Sequence, residues 1–130
     1  VSTEIEVKIA PGKLIDKITI LEIKMERIED ADKVANVRTE WEILTASRDA
    51  ALAKSEQLDG LTARLKEINE RLWVIEDDIR DCERGGDFGD TFIQLARSVY
   101  RVNDERAAVK REINVLLGSA IIEEKSYAAY

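Results

Sequence analysis

Leu58, Leu61, Leu65, Ile68, Leu72, Ile75, Ile79 and Cys82 follow one another at alternating steps of three and four, which puts them on one narrow line along an α-helix. Between them, Glu67 with Arg71 and Glu76 with Arg80 form Glu-to-Arg pairs four residues apart on the outer surface. A helix with so narrow an apolar stripe is held by neighbours rather than by its own propensity. The chain supplies them. Leu14, Ile18, Leu21, Met25 and Ile28 repeat the spacing after Pro11-Gly12, and Ile15, Ile20 and Ile23 widen that face, so the first helix is expected to touch more than one partner. Phe92, Leu95, Val99, Val102, Val109, Ile113 and Leu116 form the same line in a fourth helix, with Arg106 standing where an apolar residue is due.

The second line is weaker. Val34, Val37, Trp41, Leu44, Ser47 and Ala51 carry it, and from Ala46 to Ser55 the residues on that line become mostly small, giving less apolar area. Asp59-Gly60 predicts the break between the second and third helices, and Gly85-Gly86 the end of the third, with Asp90 capping the fourth. Asp30 to Lys33 shifts the register, either as a loop or as an irregularity in one long helix. Glu4 to Ile9 alternates polar and apolar before Pro11-Gly12, the pattern of a short strand or extended arm. After Gly118 the tail Ile121 to Tyr130 mixes apolar and charged residues and covers the bundle end, as a packed helix or a loose terminus. The expected fold is all-α: an elongated antiparallel bundle of about four helices with a short N-terminal extended segment, one domain over residues 1–130.

Composition agrees with long surface helices, since 36% of the 130 residues are charged and only one is proline. The net charge of -7 argues against nucleic-acid binding and against adhesion to anionic membrane. No apolar run approaches the roughly 18 residues of a membrane span, so no membrane insertion and a cytoplasmic location are expected. With no histidine and one cysteine, an intramolecular disulfide, a zinc finger and a Cys-His triad are excluded, and Cys82 reads as a small buried hydrophobe. Glu76, Asp77, Asp78, Asp81 and Glu83 could offer oxygen ligands to magnesium, but they lack the interleaved glycine of a calcium loop. The expectation is no metal and no cofactor. Gly85-Gly86-Asp87-Phe88-Gly89 lacks the lysine and hydroxyl of a phosphate loop and reads as a turn.

Candidate chemistry concentrates on the fourth helix. A half-buried arginine must be paired, and Arg106 has two choices: a structural ion pair inside the chain, for which Asp16, Glu22 and Glu76 are the candidate carboxylates, or an anionic ligand. The anion-binding alternative uses Arg97, Arg106 and Lys110 opposite the carboxylates Asp16 and Glu22. Trp73 lies one residue off the seam of the third helix, which extends a possible subunit contact to Leu65, Leu72, Trp73 and Ile79.

The segments PGKLIDKITILEIKMERI (11–28), NERLWVIEDDIRDCE (69–83), FIQLARSVYRVNDERAAVKREIN (92–114) and GSAIIEEKSY (118–127) resemble a small bacterial and phage-associated family of uncharacterised proteins. Some members look like neighbours of glycosyltransferase or polysaccharide genes, and the resemblance implies a single domain without naming an activity. A fainter resemblance is to compact helical chorismate mutases, dimers that hold a dicarboxylate with arginine and lysine. Here, however, the basic residues gather in the fourth helix and the first lacks that arginine spacing. The function expected is a self-associating structural or protein-interaction module without catalysis, as a homo-oligomer, most simply a dimer, or with an unidentified protein partner. The alternative is a small-anion or metabolite-binding enzyme with its basic site on the fourth helix.

Overall fold

Pro11 opens the first helix because its fixed φ suits a first helical turn and its missing N–H is not needed there. The computed structural model describes residues 3–130 and contains α1 (Pro11–Arg27), α2 (Ala31–Ala51), α3 (Glu56–Gly85) and α4 (Asp90–Leu116). The described residues hold no strand. Residues 4–9, where alternation predicted one, are exposed, with Ile5 and Val7 facing solvent. A lone strand has no edge to pair with, so the pattern alone does not make a ladder.

Some helix boundaries differ from expectation. The break before α3 lies at residues 52–55 and not at Asp59-Gly60, which sit inside the helix. Ser55 is the N-cap, its hydroxyl accepting from the Leu58 N–H at 3.1 Å, and Glu56 and Asp59 place negative charge in the first turn. Asp59 thus serves the start of the helix, and Gly60 is carried within it at a cost of about 1 kcal/mol relative to alanine. Before α4 the N-cap is Gly89 and not Asp90, which falls in the first turn; Asp87 accepts the Gly89 N–H at 3.0 Å. The register change expected at Asp30 to Lys33 is a loop that falls earlier, with Ala31 to Lys33 already helical, while the end of α3 lies where expected. Asp30 caps α2 through the N–H groups of Asp32 and Lys33, both at 3.0 Å, making residues 28–30 a true break. Gly86 closes α3 with φ 67°, and the Asp87 N–H donates to the Cys82 carbonyl at 2.9 Å.

The architecture is an elongated all-α bundle in which α1, α3 and α4 enclose the core, while α2 packs along α1 alone. Ile15, Leu58, Leu65, Ile68, Val102, Val109 and Ile113 form that core, each removing roughly 1.5–3 kcal/mol worth of apolar surface from water. Arg64 with Glu112 and Arg71 with Glu105, both at 3.1 Å, show α3 and α4 running antiparallel. Beyond Gly118, residues 119–130 form no helix and run back along α4, where Lys125 and Tyr130 both reach Asp104. No helix of the described residues is long and apolar enough to cross a membrane.

Candidate functional site

The site begins where α1 and α4 come closest. The Gly12 N–H donates to Asn114 Oδ1 at 2.7 Å, and a Cβ on Gly12 would sit 2.8 Å from that oxygen and closer still to the Lys110 carbonyl. Only glycine lets the two backbones approach this far. One turn along α1, the approach sets Asp16 against Arg106.

Asp16 is a buried carboxylate, its side chain 6% exposed, and it is held from two sides. Arg106 Nε donates to Oδ1 at 2.9 Å and Nη2 donates to Oδ2, while Asn69 Nδ2 donates to Oδ1 at 2.9 Å. Asn69 also donates to Thr19 Oγ1 at 2.9 Å, and the Thr19 hydroxyl donates to the Asp16 carbonyl at 2.7 Å. The hydrogen bond to Asp16 raises the Arg106 pKa above its ordinary value against the opposing effect of burial. A buried charge is tolerated only when paired and hydrogen-bonded, and this network meets both conditions for Asp16.

Arg106 is not exhausted by it. Its Nη1 has no hydrogen-bond partner among the described residues, and the side chain, 30% exposed, lies in the wall of two clefts. The first, about 450 Å³, lies between α4 and the C-terminal segment; Asn103, Lys110, Arg111 and Asn114 face Glu123, Glu124 and Tyr127 across it. The second, about 500 Å³, lies between α1, α3 and α4, with Ile20, Ile23, Leu72 and Trp73 in its wall and Glu76 and Asp77 among its polar groups. Asn103 and Arg106 border both.

Electrostatics divide the first cleft between fixed cations and the segment's carboxylates. Lys110, 17% exposed, has Glu123 at 3.6 Å, too long for a hydrogen bond, and Arg111 Nη1 donates to both Glu124 oxygens at 3.1 Å. Lys125 Nζ and the Tyr130 hydroxyl each donate to Asp104 at 2.6 Å. These bonds lower the Asp104 pKa, with Lys125 the larger cause, and the bond to Asp104 raises that of Tyr130. Tyr130 also packs on Tyr100, ring centroids 5.0 Å apart.

Of the anion-binding set read from the sequence, the structure joins Asp16, Arg106 and Lys110 and leaves two residues apart. Arg97 is exposed, reaches only Gln94 at 3.5 Å and borders neither cleft. Glu22 accepts the Trp41 indole N–H at 3.3 Å, between α1 and α2. Among the residues read as a subunit contact, Leu65 has no exposed surface and belongs to the internal core. Leu72, Trp73 and Ile79 are half-buried, the first two bordering the second cleft. Sequence reasoning missed Thr19, Asn69, Asn103, Glu123 and Glu124 as site residues. Thr19 and Asn69 do leave a trace, as polar residues directly following apolar-line positions Ile18 and Ile68. Among the described residues no group of three or more cysteines, aspartates or glutamates is placed to hold a metal ion.

Residues 5–130 match the model of a family of unknown function, DUF6165, and the chain belongs to that family. No curated protein and no solved structure matches it.

Proposed function

We propose that this DUF6165 protein binds a small phosphate- or carboxylate-bearing metabolite in the cleft between α4 and the C-terminal segment. The observation that carries the reading is the free Nη1 of Arg106 bordering the same concave space as Lys110, whose ammonium is ion-paired only with Glu123 of the terminal segment, at 3.6 Å. One helical turn separates them, about 6 Å along the axis, a spacing at which both can address one anion. Asp16 turns the Nε edge of the guanidinium inward and so directs what remains toward the cleft. Glu123 and Glu124 stand where a ligand's oxygens would, which makes the terminal segment an internal stand-in for the anion.

Calorimetric titration with inorganic phosphate at low ionic strength tests this, comparing wild type with Lys110→Gln and following the helical fold by circular dichroism. Saturable binding that weakens about tenfold in a folded Lys110→Gln protein is the expected result. No phosphate binding by the wild type, or equal binding by both proteins, overturns the reading.

Self-association is a second reading, supported by Phe88 and Ile93, apolar side chains exposed at the turn end of the α3–α4 hairpin. A solution mass that doubles with concentration, and returns to that of one chain in Ile93→Lys, is its test.

A further inference from the structure

We infer that the cleft beside Trp73 receives the base of a guanine nucleotide whose phosphate lies at Arg106 and Lys110. This deepens the anion-binding reading and rests on it. Asn103 and Arg106 line both clefts, so a phosphate held at Arg106 has the apolar cleft on the other side of the same side chain. The cross-pairs Arg71–Glu105 and Arg64–Glu112 set the register of α3 on α4 and place Trp73 level with Asn103. Lys110 follows two turns further along α4, about 10 Å away along the axis. A nucleoside monophosphate spans such a separation between base and phosphate.

The wall chooses the kind of group. Ile20, Leu72 and Trp73 offer apolar surface and one aromatic ring above the buried Ile23, which suits a flat heterocycle. A hydroxyl-rich ring would leave polar groups unpaired against the isoleucines and leucine. Of the two carboxylates in this cleft, Glu76 is held by Arg80, while Asp77 is exposed and has no ion pair or hydrogen bond among the described residues. An ionised carboxylate only accepts, through two oxygens side by side. Guanine presents two adjacent donors, N1–H and the N2 amino group, that match them. Adenine presents an amino group next to an acceptor nitrogen, which the second oxygen of Asp77 would repel. Trp73, which lines the same cleft, makes no indole hydrogen bond among the described residues, unlike Trp41. The charges lining this cleft are Arg106, the Arg80–Glu76 pair, and Asp77 as the carboxylate without a partner among the described residues.

The experiment titrates the full chain carrying Trp41→Phe, which leaves Trp73 as the only indole, with GMP, AMP, glucose 1-phosphate and inorganic phosphate. GMP is expected to bind at least about tenfold more tightly than the other three and to quench Trp73 fluorescence. Asp77→Asn, an exposed substitution, should erase the preference for GMP over AMP and leave phosphate affinity unchanged. Equal affinity for phosphate and GMP, or a preference for AMP or glucose 1-phosphate, overturns the guanine assignment while leaving the anion site standing. A GMP preference that survives Asp77→Asn also overturns it. Failure of all four to bind overturns both readings together.

Discussion

Arg106 meets Asp16 edge-on, Nε against Oδ1 at 2.9 Å and Nη2 against Oδ2, at the one position where the apolar line of α4 is interrupted. The interruption is therefore a contact between helices 90 residues apart in the chain. It ties α4 to α1 at a fixed register, and it leaves one face of the guanidinium free for the clefts. An apolar residue at 106 would pack there without fixing the direction of anything.

Arg106→Ala should destabilise the fold by about 2–3 kcal/mol, because it leaves Asp16 buried without a cation; partial exposure of the arginine keeps the loss at the lower end. Urea unfolding measures this. Asp16→Asn combined with Arg106→Gln should cost less than the sum of the two single changes, since neither charge is then left alone.

Two glycines in helices should respond in opposite directions. Gly12→Ala forces a Cβ against the Lys110 carbonyl and should cost about 1–3 kcal/mol as α1 moves off α4. Gly60→Ala meets nothing within 4 Å and should stabilise α3 by about 0.5–1 kcal/mol. Thermal unfolding of the two variants gives both signs.

Ser55→Ala should lose about 1 kcal/mol, the ordinary worth of an N-cap hydroxyl. Asp59→Asn should lose only a few tenths of that order, by weakening the charge in the first turn. A reversed ranking in denaturant unfolding would place the helix start at Asp59-Gly60 instead.

Docking of the C-terminal segment should depend on pH in a way its two titrating groups define. Asp104 is held below its ordinary 3.8, so its contribution is present above 3.8 and vanishes as pH falls through the lowered pKa. Tyr130 is held above its ordinary 10.0, so its contribution is present below 10.0 and vanishes as pH rises through the raised pKa. In an ultraviolet titration of the three tyrosines, a late-ionising step should be missing in Tyr130→Phe and should move down in Asp104→Asn.

Removing the internal carboxylates should favour an external one. In the Glu123→Gln, Glu124→Gln double variant, Lys110 and Arg111 lose their partners, and inorganic phosphate should bind up to about tenfold more tightly, with the gain shrinking as salt is added. Isothermal calorimetry at two ionic strengths measures it.

The apolar lines of α1, α3 and α4 were legible because a helical stripe is a local, periodic property, and Leu58, Leu65, Ile68, Val109 and Ile113 are buried as their spacing requires. The start of α3 was not, because Asp59-Gly60 carries a turn signal that a nearby cap at Ser55 overrides; the competition is decided by which N–H groups find acceptors. Arg106 stood out as an exception to its line, and so did the need to pair it. Which carboxylate does so was hidden, since Asp16, Glu22 and Glu76 are equally acceptable by residue type.

Sequence by itself determined the all-α class, most of the core and the presence of an obligate partner for Arg106, all of which follow from periodicity and from the cost of burying a lone charge. Tertiary structure alone decided that α2 packs only on α1, that Asp16 and not Glu22 faces Arg106, and that the terminal segment doubles back to set Glu123 and Glu124 against Lys110 and Arg111. These are relations between residues far apart in the chain. They depend on the close approach of α1 and α4 at Gly12 and on the reversal after Gly118, where φ is 63°, and no local pattern encodes the distances that result.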